Sequence, residues 1–270
     1  MTYSELKNKL SEAGVASPDF EAAELIRFYT GTGSASLRFG DYNSKELLCA
    51  VEKRLSGMPL QYVIGQWDFM GHTFKVDPRC LIPRADTELL CSYLIENAPE
   101  GGIFCDLCTG SGCIAVAALL ERPDLRGVAV ELYPETLSLA RENAELCNVL
   151  DRIEFIEGDV TKDILSGQFD IIVSNPPYVT AEEMREITRE VAMEPPHALT
   201  DGGDGLSIIR KIIEHSPHHL KEGAPLAIEI GWKQGADVCK IAADAGLTSC
   251  LLSDIEGRDR VVVIKRKETV

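Results

Sequence analysis

Apolar residues in the first sixty positions recur at helical spacing. Tyr3, Leu6 and Leu10 mark one face, and Phe20, Ala23, Leu25, Ile26 and Phe28 mark a second helix behind Ser17-Pro18-Asp19. That tripeptide is a helix start, with a capping hydroxyl and a proline at the first helical position. A third helix is expected from Ser44 through Leu47, Leu48, Val51 and Leu55 to Gly57. From Leu60 the pattern changes, and two short alternating runs, Trp67–Met70 and His72–Val76, flank Gly71 as a hairpin would.

After Asp86-Thr87-Glu88, a capped helix start, strand and helix patterns alternate. Strands are expected at 103–106, 127–131, 153–156, 169–174 and 225–230, with helices at 112–121, from Pro134, at 206–220 and at 234–245. Two late strands, near 248–252 and 260–265, share a short connection and are antiparallel. A βαβα order of this kind predicts a doubly wound, mostly parallel α/β sheet with an antiparallel C-terminal strand. The expected division is a helical domain over 1–60, a β-hairpin linker over 61–83 and an α/β domain over 84–270.

The chain has 270 residues and a formal charge of −16, and shows no Lys/Arg-rich run. Wrapping nucleic acid by phosphate neutralisation is therefore disfavoured. The start, MTYSELKNKL, lacks the charged-then-apolar pattern of a leader, and no apolar run approaches the ~18 residues of a membrane span. Nine cysteines at irregular spacing point to reduced thiols in a cytoplasm. Cys105-x-x-Cys108 has zinc or redox spacing, but no second pair or nearby histidine completes a four-ligand set, so no metal is expected. His215, His218 and His219 gather at a helix end, where a cation has a plain electrostatic reason to be.

Three segments carry candidate chemistry. The loop Cys108-Thr109-Gly110-Ser111-Gly112 lies between the first strand of the sheet and its helix, where glycines let the backbone approach a ligand and the helix offers free N–H groups. Glu131 ends the next strand, where a carboxylate can take the hydroxyls of a ribose. This position serves nicotinamide enzymes and S-adenosylmethionine methyltransferases alike. Asp159 and Val160 end the third strand, as an acceptor for an adenine amino group and an apolar wall beside it.

Asn175-Pro176-Pro177-Tyr178 follows a buried-type strand. Each proline fixes φ and removes a donor, and each residue before a proline is held extended. The resulting corner offers carbonyl oxygens, a carboxamide and an aromatic ring, a set that suits a planar amino group.

With the glycine loop and Glu131, this tetrapeptide resembles the amino-methyltransferases that use S-adenosylmethionine. Further segments narrow the resemblance: Gly57-Met58-Pro59-Leu60-Gln61-Tyr62-Val63-Ile64-Gly65, Leu81-Ile82-Pro83-Arg84-Ala85-Asp86-Thr87-Glu88, Glu194-Pro195 with Ala198-Leu199, Gly203-Asp204-Gly205-Leu206, Glu229-Ile230-Gly231 and Gly257-Arg258-Asp259-Arg260-Val261. Together they resemble the protein-(glutamine-N5) methyltransferases of peptide chain release factors, the HemK/PrmC family, over nearly the full chain. The chain departs from that family in carrying Glu131 where Asp is frequent, and Val160 where some members have an aromatic.

The resemblance implies a Rossmann-like domain using S-adenosyl-L-methionine and a helical N-terminal domain that grips the release factor. It also implies a glutamine of a Gly-Gly-Gln loop as substrate. Asn175 and the Pro176 carbonyl are expected to accept the two amide hydrogens, Tyr178 to pack on the amide and Pro177 to fix the corner. Asn175 is also expected against the cofactor. Arg84 has two roles open to it, contact with the cofactor carboxylate or substrate backbone and a structural ion pair. The alternatives are an adenine-N6 methyltransferase, which needs a basic groove and base flipping, a nicotinamide-dependent dehydrogenase, which has no use for the tetrapeptide, and a non-catalytic binder of release factors.

Overall fold

The computed structural model describes residues 1–267 and divides into two compact units. Unit one joins Met1–Gln66 with Thr188–Met193; unit two comprises Trp67–Ile187 and the chain from Glu194 onward.

Unit one contains α1 (Tyr3–Glu12), α2 (Pro18–Thr30), α3 (Lys45–Leu55) and α4 (Leu60–Ile64). A full capping box starts α1: Thr2 accepts the Glu5 N–H, and the Glu5 side chain accepts the Thr2 N–H. Ser17 does not cap α2 with its hydroxyl; Pro18 at the first position starts that helix. Its inward face is Ala22, Leu25 and Ile26, while Phe20 and Phe28 are exposed. The short α4 occupies a stretch expected to lead straight into the hairpin, and ends at Gly65 with φ +81°. A buried arginine ties the later segment to these helices: Arg54 pairs with Glu21 on α2 and with Glu190. The neighbouring Arg189 donates to the Ser56 carbonyl at 2.6 Å.

Unit two opens with the hairpin β1 (Gln66–Phe69) and β2 (His72–Lys75). Then follow α5 (Glu88–Asn97), β3 (Ile103–Leu107), α6 (Cys113–Glu121), β4 (Arg126–Glu131), α7 (Pro134–Leu146), β5 (Ile153–Glu157) and β6 (Ile171–Ser174). The unit closes with α8 (Ser207–His215), β7 (Leu226–Glu229), α9 (Gly235–Asp244), β8 (Leu247–Ser253) and β9 (Asp259–Arg266). The seven-stranded sheet has the order β5-β4-β3-β6-β7-β9-β8. Its first five strands are parallel, and β9 runs antiparallel to both neighbours.

Two apolar layers cover the sheet. One sets α5, α6 and α7 with Phe69 and Phe74 of the hairpin against Phe104, Ala129, Phe155 and Val173. The other sets α8 and α9 against Cys105, Ile172, Leu226 and Ile228. With both faces covered, the central strands read as continuous apolar runs. Asn143 of α7 fixes the hairpin by accepting the Lys75 N–H at 2.8 Å and donating to the Lys75 carbonyl at 3.0 Å. The connections run to opposite sides from β3 and β6, which pair directly. Ligands of open α/β sheets bind beyond the strand C-termini at such a switch point.

Candidate active site

A cavity of about 290 Å³ opens beyond the C-terminal ends of β3, β4, β5 and β6. Cys108, Thr109, Gly110, Ser111, Glu131, Asp159, Val160, Asn175, Pro177 and Arg84 all line it. Gly112 stands just behind as the N-cap of α6, with φ +79°. A Cβ there would lie 3.1 Å from the Ala140 Cβ, so glycine lets α6 sit close to α7. Pro176 is buried behind the cavity wall.

The loop is shaped by Asp106, which is fully buried. The Thr109 hydroxyl donates to its Oδ2 at 2.6 Å, and Oδ1 has no partner among the described residues. Burial pushes its carboxyl up to about 7, against the pull of the Thr109 hydrogen bond. Glu131 is also raised by burial, although three backbone amides oppose the shift. Leu132 and Tyr133 donate to Oε1 at 2.9 and 3.2 Å, and Gly110 donates to Oε2 at 3.1 Å. Oε1 is thus saturated, while Oε2 keeps a lone pair for an incoming hydroxyl. Asp159 Oδ1 accepts from the backbone and hydroxyl of Thr161, and hydrogen bonding holds its carboxyl below the usual range.

At the corner, Asn175 donates from Nδ2 to the Thr87 hydroxyl at 3.1 Å. This bond fixes the carboxamide plane. Among the described residues neither Asn175 Oδ1 nor the Pro176 carbonyl has a hydrogen-bond partner, so both are free to accept. Tyr178 lies beside the cavity rather than in its lining; its hydroxyl donates to Glu229 Oε1 at 3.1 Å. Arg84 reaches the cavity wall and pairs with the buried Glu194, which also accepts the Ile82 N–H at 3.0 Å.

Five contributors carry no local signal in the sequence: Thr87, Tyr133, Glu194, His197 and Glu229. Tyr133 and His197 stack with ring centroids 3.6 Å apart and line the cavity next to Glu131. Burial lowers the His197 pKa and favours its neutral form. The position of Tyr133, two residues after the strand-end acid, is the one hint of a wall there.

A glycine loop, a strand-end acid and a rigid acceptor corner around one switch-point cavity define an α/β methyltransferase. The family model of the methyltransferase small domain matches residues 84–223, and that of the PrmC N-terminal domain matches residues 2–65. The chain belongs to the release factor glutamine methyltransferase family. It is 41% identical over 217 residues to the protein of that name from Neisseria gonorrhoeae, covering 79% of each chain. With the Bacillus subtilis protein of the same name it is 37% identical over 271 residues, covering 94% of this chain and 92% of the relative. The crystal structure of a methyltransferase from Pyrococcus furiosus shares the fold, with a TM-score of 0.54 at 20% identity over 71% of this chain and 86% of that one.

Proposed function

We propose that this protein methylates the side-chain amide nitrogen (N5) of the glutamine in the Gly-Gly-Gln motif of peptide chain release factors, in support of translation termination. S-adenosyl-L-methionine is the donor in this reading, and S-adenosyl-L-homocysteine the product. The observation that carries the reading is the pair of unpartnered acceptors at the corner, Asn175 Oδ1 and the Pro176 carbonyl, with the Asn175 carboxamide pinned by Thr87. A primary amide presents two hydrogens in one plane, and two fixed acceptors hold that plane.

The cavity residues fit the cofactor. Gly110 has φ +56° and lies in the loop that opens α6, so backbone can approach a ligand closely. The free Oε2 direction of Glu131 suits a ribose hydroxyl, and Val160 with the Tyr133–His197 stack supplies apolar walls for a planar base. When bound, the cofactor supplies a methyl group made electrophilic by its sulfonium.

The chain's own part is placement. An amide nitrogen is a poor nucleophile because its lone pair is delocalised into the carbonyl. Asn175 Oδ1 and the Pro176 carbonyl orient it and favour positive charge developing on its hydrogens. Fixed orientation can supply as much as roughly 7–11 kcal/mol in ideal cases. Pro177 stiffens the corner, and Tyr178 offers its ring beside the amide while its hydroxyl is held by Glu229. No side chain is needed as a general base, since the methylated amide loses its proton readily.

Residues 1–60 act in this reading as the release-factor grip, 61–83 as the linker and 84–270 as the catalytic domain. No helix among the described residues is long and apolar enough to cross a membrane, in keeping with a cytoplasmic place of action. The test is incubation with labelled S-adenosylmethionine and a release factor, the same factor with its loop glutamine changed to alanine, or DNA and RNA. Label is expected on the first alone and is lost with Asn175→Ala. Label on nucleic acid alone would overturn the reading in favour of an adenine methyltransferase.

A further inference from the structure

Glu229 ends β7 and is 1% exposed, with a carboxyl that touches no solvent and does not line the cavity. A buried carboxyl is costly unless other groups satisfy it. The groups around this one converge on the corner. The Tyr178 hydroxyl donates to Oε1 at 3.1 Å. The Thr87 hydroxyl, itself 3% exposed, also bonds this carboxyl. Arg260, on the neighbouring strand β9, brings a positive charge to it and is in turn paired with Asp86 and Asp254.

Thr87 is the link to Asn175. Its oxygen accepts the Asn175 Nδ2–H at 3.1 Å. A hydroxyl has one proton to give, and here the carboxylate is the acceptor for it. The direction of each bond follows: Asn175 gives to Thr87, and Thr87 gives to Glu229. With Nδ2 committed to Thr87, the Asn175 oxygen is the atom turned to the acceptor nitrogen. The same turn of chain clamps the far end of the tetrapeptide, where Gln234 accepts the Gly231 N–H at 2.8 Å and donates to the Tyr178 carbonyl at 3.0 Å.

Resting on the reading of Asn175 and Tyr178 as the amide-holding corner, we infer that Glu229 is a positioning residue for methyl transfer, fixing the Tyr178 ring directly and the sense of the Asn175 carboxamide through Thr87. The carboxylate has only acceptors to offer, so Thr87 must donate to it. A glutamine at position 229 can present an NH2 group instead. Thr87 would then donate toward Asn175, the carboxamide would turn over, and an NH2 would meet the substrate's own NH2. Burial pushes the Glu229 carboxyl up to about 7, and the two hydroxyls and Arg260 oppose that rise, so the group still ionises near neutral pH.

The test compares full-length wild type, Glu229→Gln, Tyr178→Phe, the double variant, Thr87→Val and Thr87→Ser. It reads kcat and KM on a release factor, affinity for S-adenosylhomocysteine by calorimetry, and melting temperature. A geometric error at the acceptor costs on the order of 100-fold in rate. Glu229→Gln is expected to lower kcat by about that factor, with KM and cofactor affinity changed less than about threefold. Thr87→Val loses rate in the same way, and Thr87→Ser recovers most of it. The Glu229→Gln/Tyr178→Phe pair is expected to be non-additive, the mark of a shared contact. The role is overturned by Glu229→Gln with more than half the wild-type kcat, or by a loss of kcat matched by equal losses of cofactor affinity and melting temperature. If Glu229→Gln fails to fold, Thr87→Val with undiminished kcat overturns it equally. Wild type is read in the same assay: failure to label the release factor overturns the functional reading itself, a result separate from the others.

Discussion

Arg84 closes an ion pair with Glu194, and the second oxygen of that carboxylate accepts the Ile82 N–H at 3.0 Å. The pair thus ties the chain before α5 to the chain that follows the tetrapeptide, along one side of the cavity. Glu194 is buried while Arg84 is about one-third exposed, so the two partners differ in what their loss leaves behind. Glu194→Ala strands an N–H and a guanidinium, whereas Arg84→Ala strands a buried carboxylate. Removal of one partner of a buried pair costs roughly 3–5 kcal/mol, and somewhat less where one end is wet. Either change is expected to lower the melting temperature by at least about 5 °C. Calorimetric melting checks this; an unchanged Arg84→Ala protein would refute the structural role.

Glu131 makes a separate prediction for the cofactor. Its Oε2 is the oxygen with a free lone pair, and the same atom holds the Gly110 amide. Glu131→Ala removes a charged acceptor of a hydroxyl and loosens the loop. Hydrogen bonds to charged groups contribute about 1.5–3 kcal/mol, so affinity for S-adenosylhomocysteine is expected to fall roughly 10- to 100-fold. The kcat at saturating cofactor should fall much less. Isothermal calorimetry and steady-state kinetics separate the two.

The parts of the site that are legible in the sequence are local ones. Asn-Pro-Pro-Tyr encodes its own stiffness, the glycine loop its own turn, and Glu131 its own place at a strand end. The βα alternation carries the sheet in the same way, because each strand and helix announces itself over a handful of residues. The supporting groups are remote. Thr87 and Asn175 are 88 positions apart, Tyr178 and Glu229 are 51 apart, and Arg84 and Glu194 are 110 apart. Nothing in the neighbourhood of Glu229 says that its carboxyl faces a phenol. The bond from Arg54 to Glu190, across 136 positions, likewise gives no periodic sign that Thr188–Met193 joins the helical unit. Ser17 fails as a capping side chain for the opposite reason: the local motif is plain, but Pro18 already supplies the start.

Two buried carboxyls, Glu229 and Asp106, are both raised to about 7 by burial. A folded value above the unfolded one means that the native state binds more protons through the interval between them. The stability linked to these groups is therefore present in full below the ordinary carboxylate range and is lost as pH rises through about 7. A tenfold difference in proton affinity between the folded and unfolded chain is worth about 1.4 kcal/mol, which makes the Glu229 contribution on the order of 3 kcal/mol. Glu142 works in the other direction: Arg79 and Lys75 hold it down to about 2, so its contribution is lost only in strong acid. The melting temperature of the ligand-free protein is expected to peak near pH 5 and decline by several degrees toward pH 8. In Glu229→Gln that decline should be shallower. A melting temperature flat from pH 5 to pH 8 in wild type would show that these carboxyls are not raised.

Gly205 tests whether the corner must be held from its far side as well. Its φ is +72°, and a Cβ there would come within 2.1 Å of the Tyr178 carbonyl oxygen and 2.8 Å of Gln234 Nε2. A contact of 2.1 Å cannot be absorbed by turning a flexible side chain, because the nearer atom is backbone. Either the Gly203–Leu206 turn or the Tyr178 peptide must move, and the Gln234 clamp opens when it does. Gly205→Ala therefore displaces the tetrapeptide without touching Glu131 or the glycine loop. The left-handed φ adds about 1 kcal/mol of backbone penalty, a small part of the stability of a domain this size. The expected result is a kcat lower by roughly 100-fold, with S-adenosylhomocysteine affinity within about threefold of wild type. A variant that keeps its kcat within threefold would show that the corner tolerates this displacement, and that Gly205 serves only its own turn.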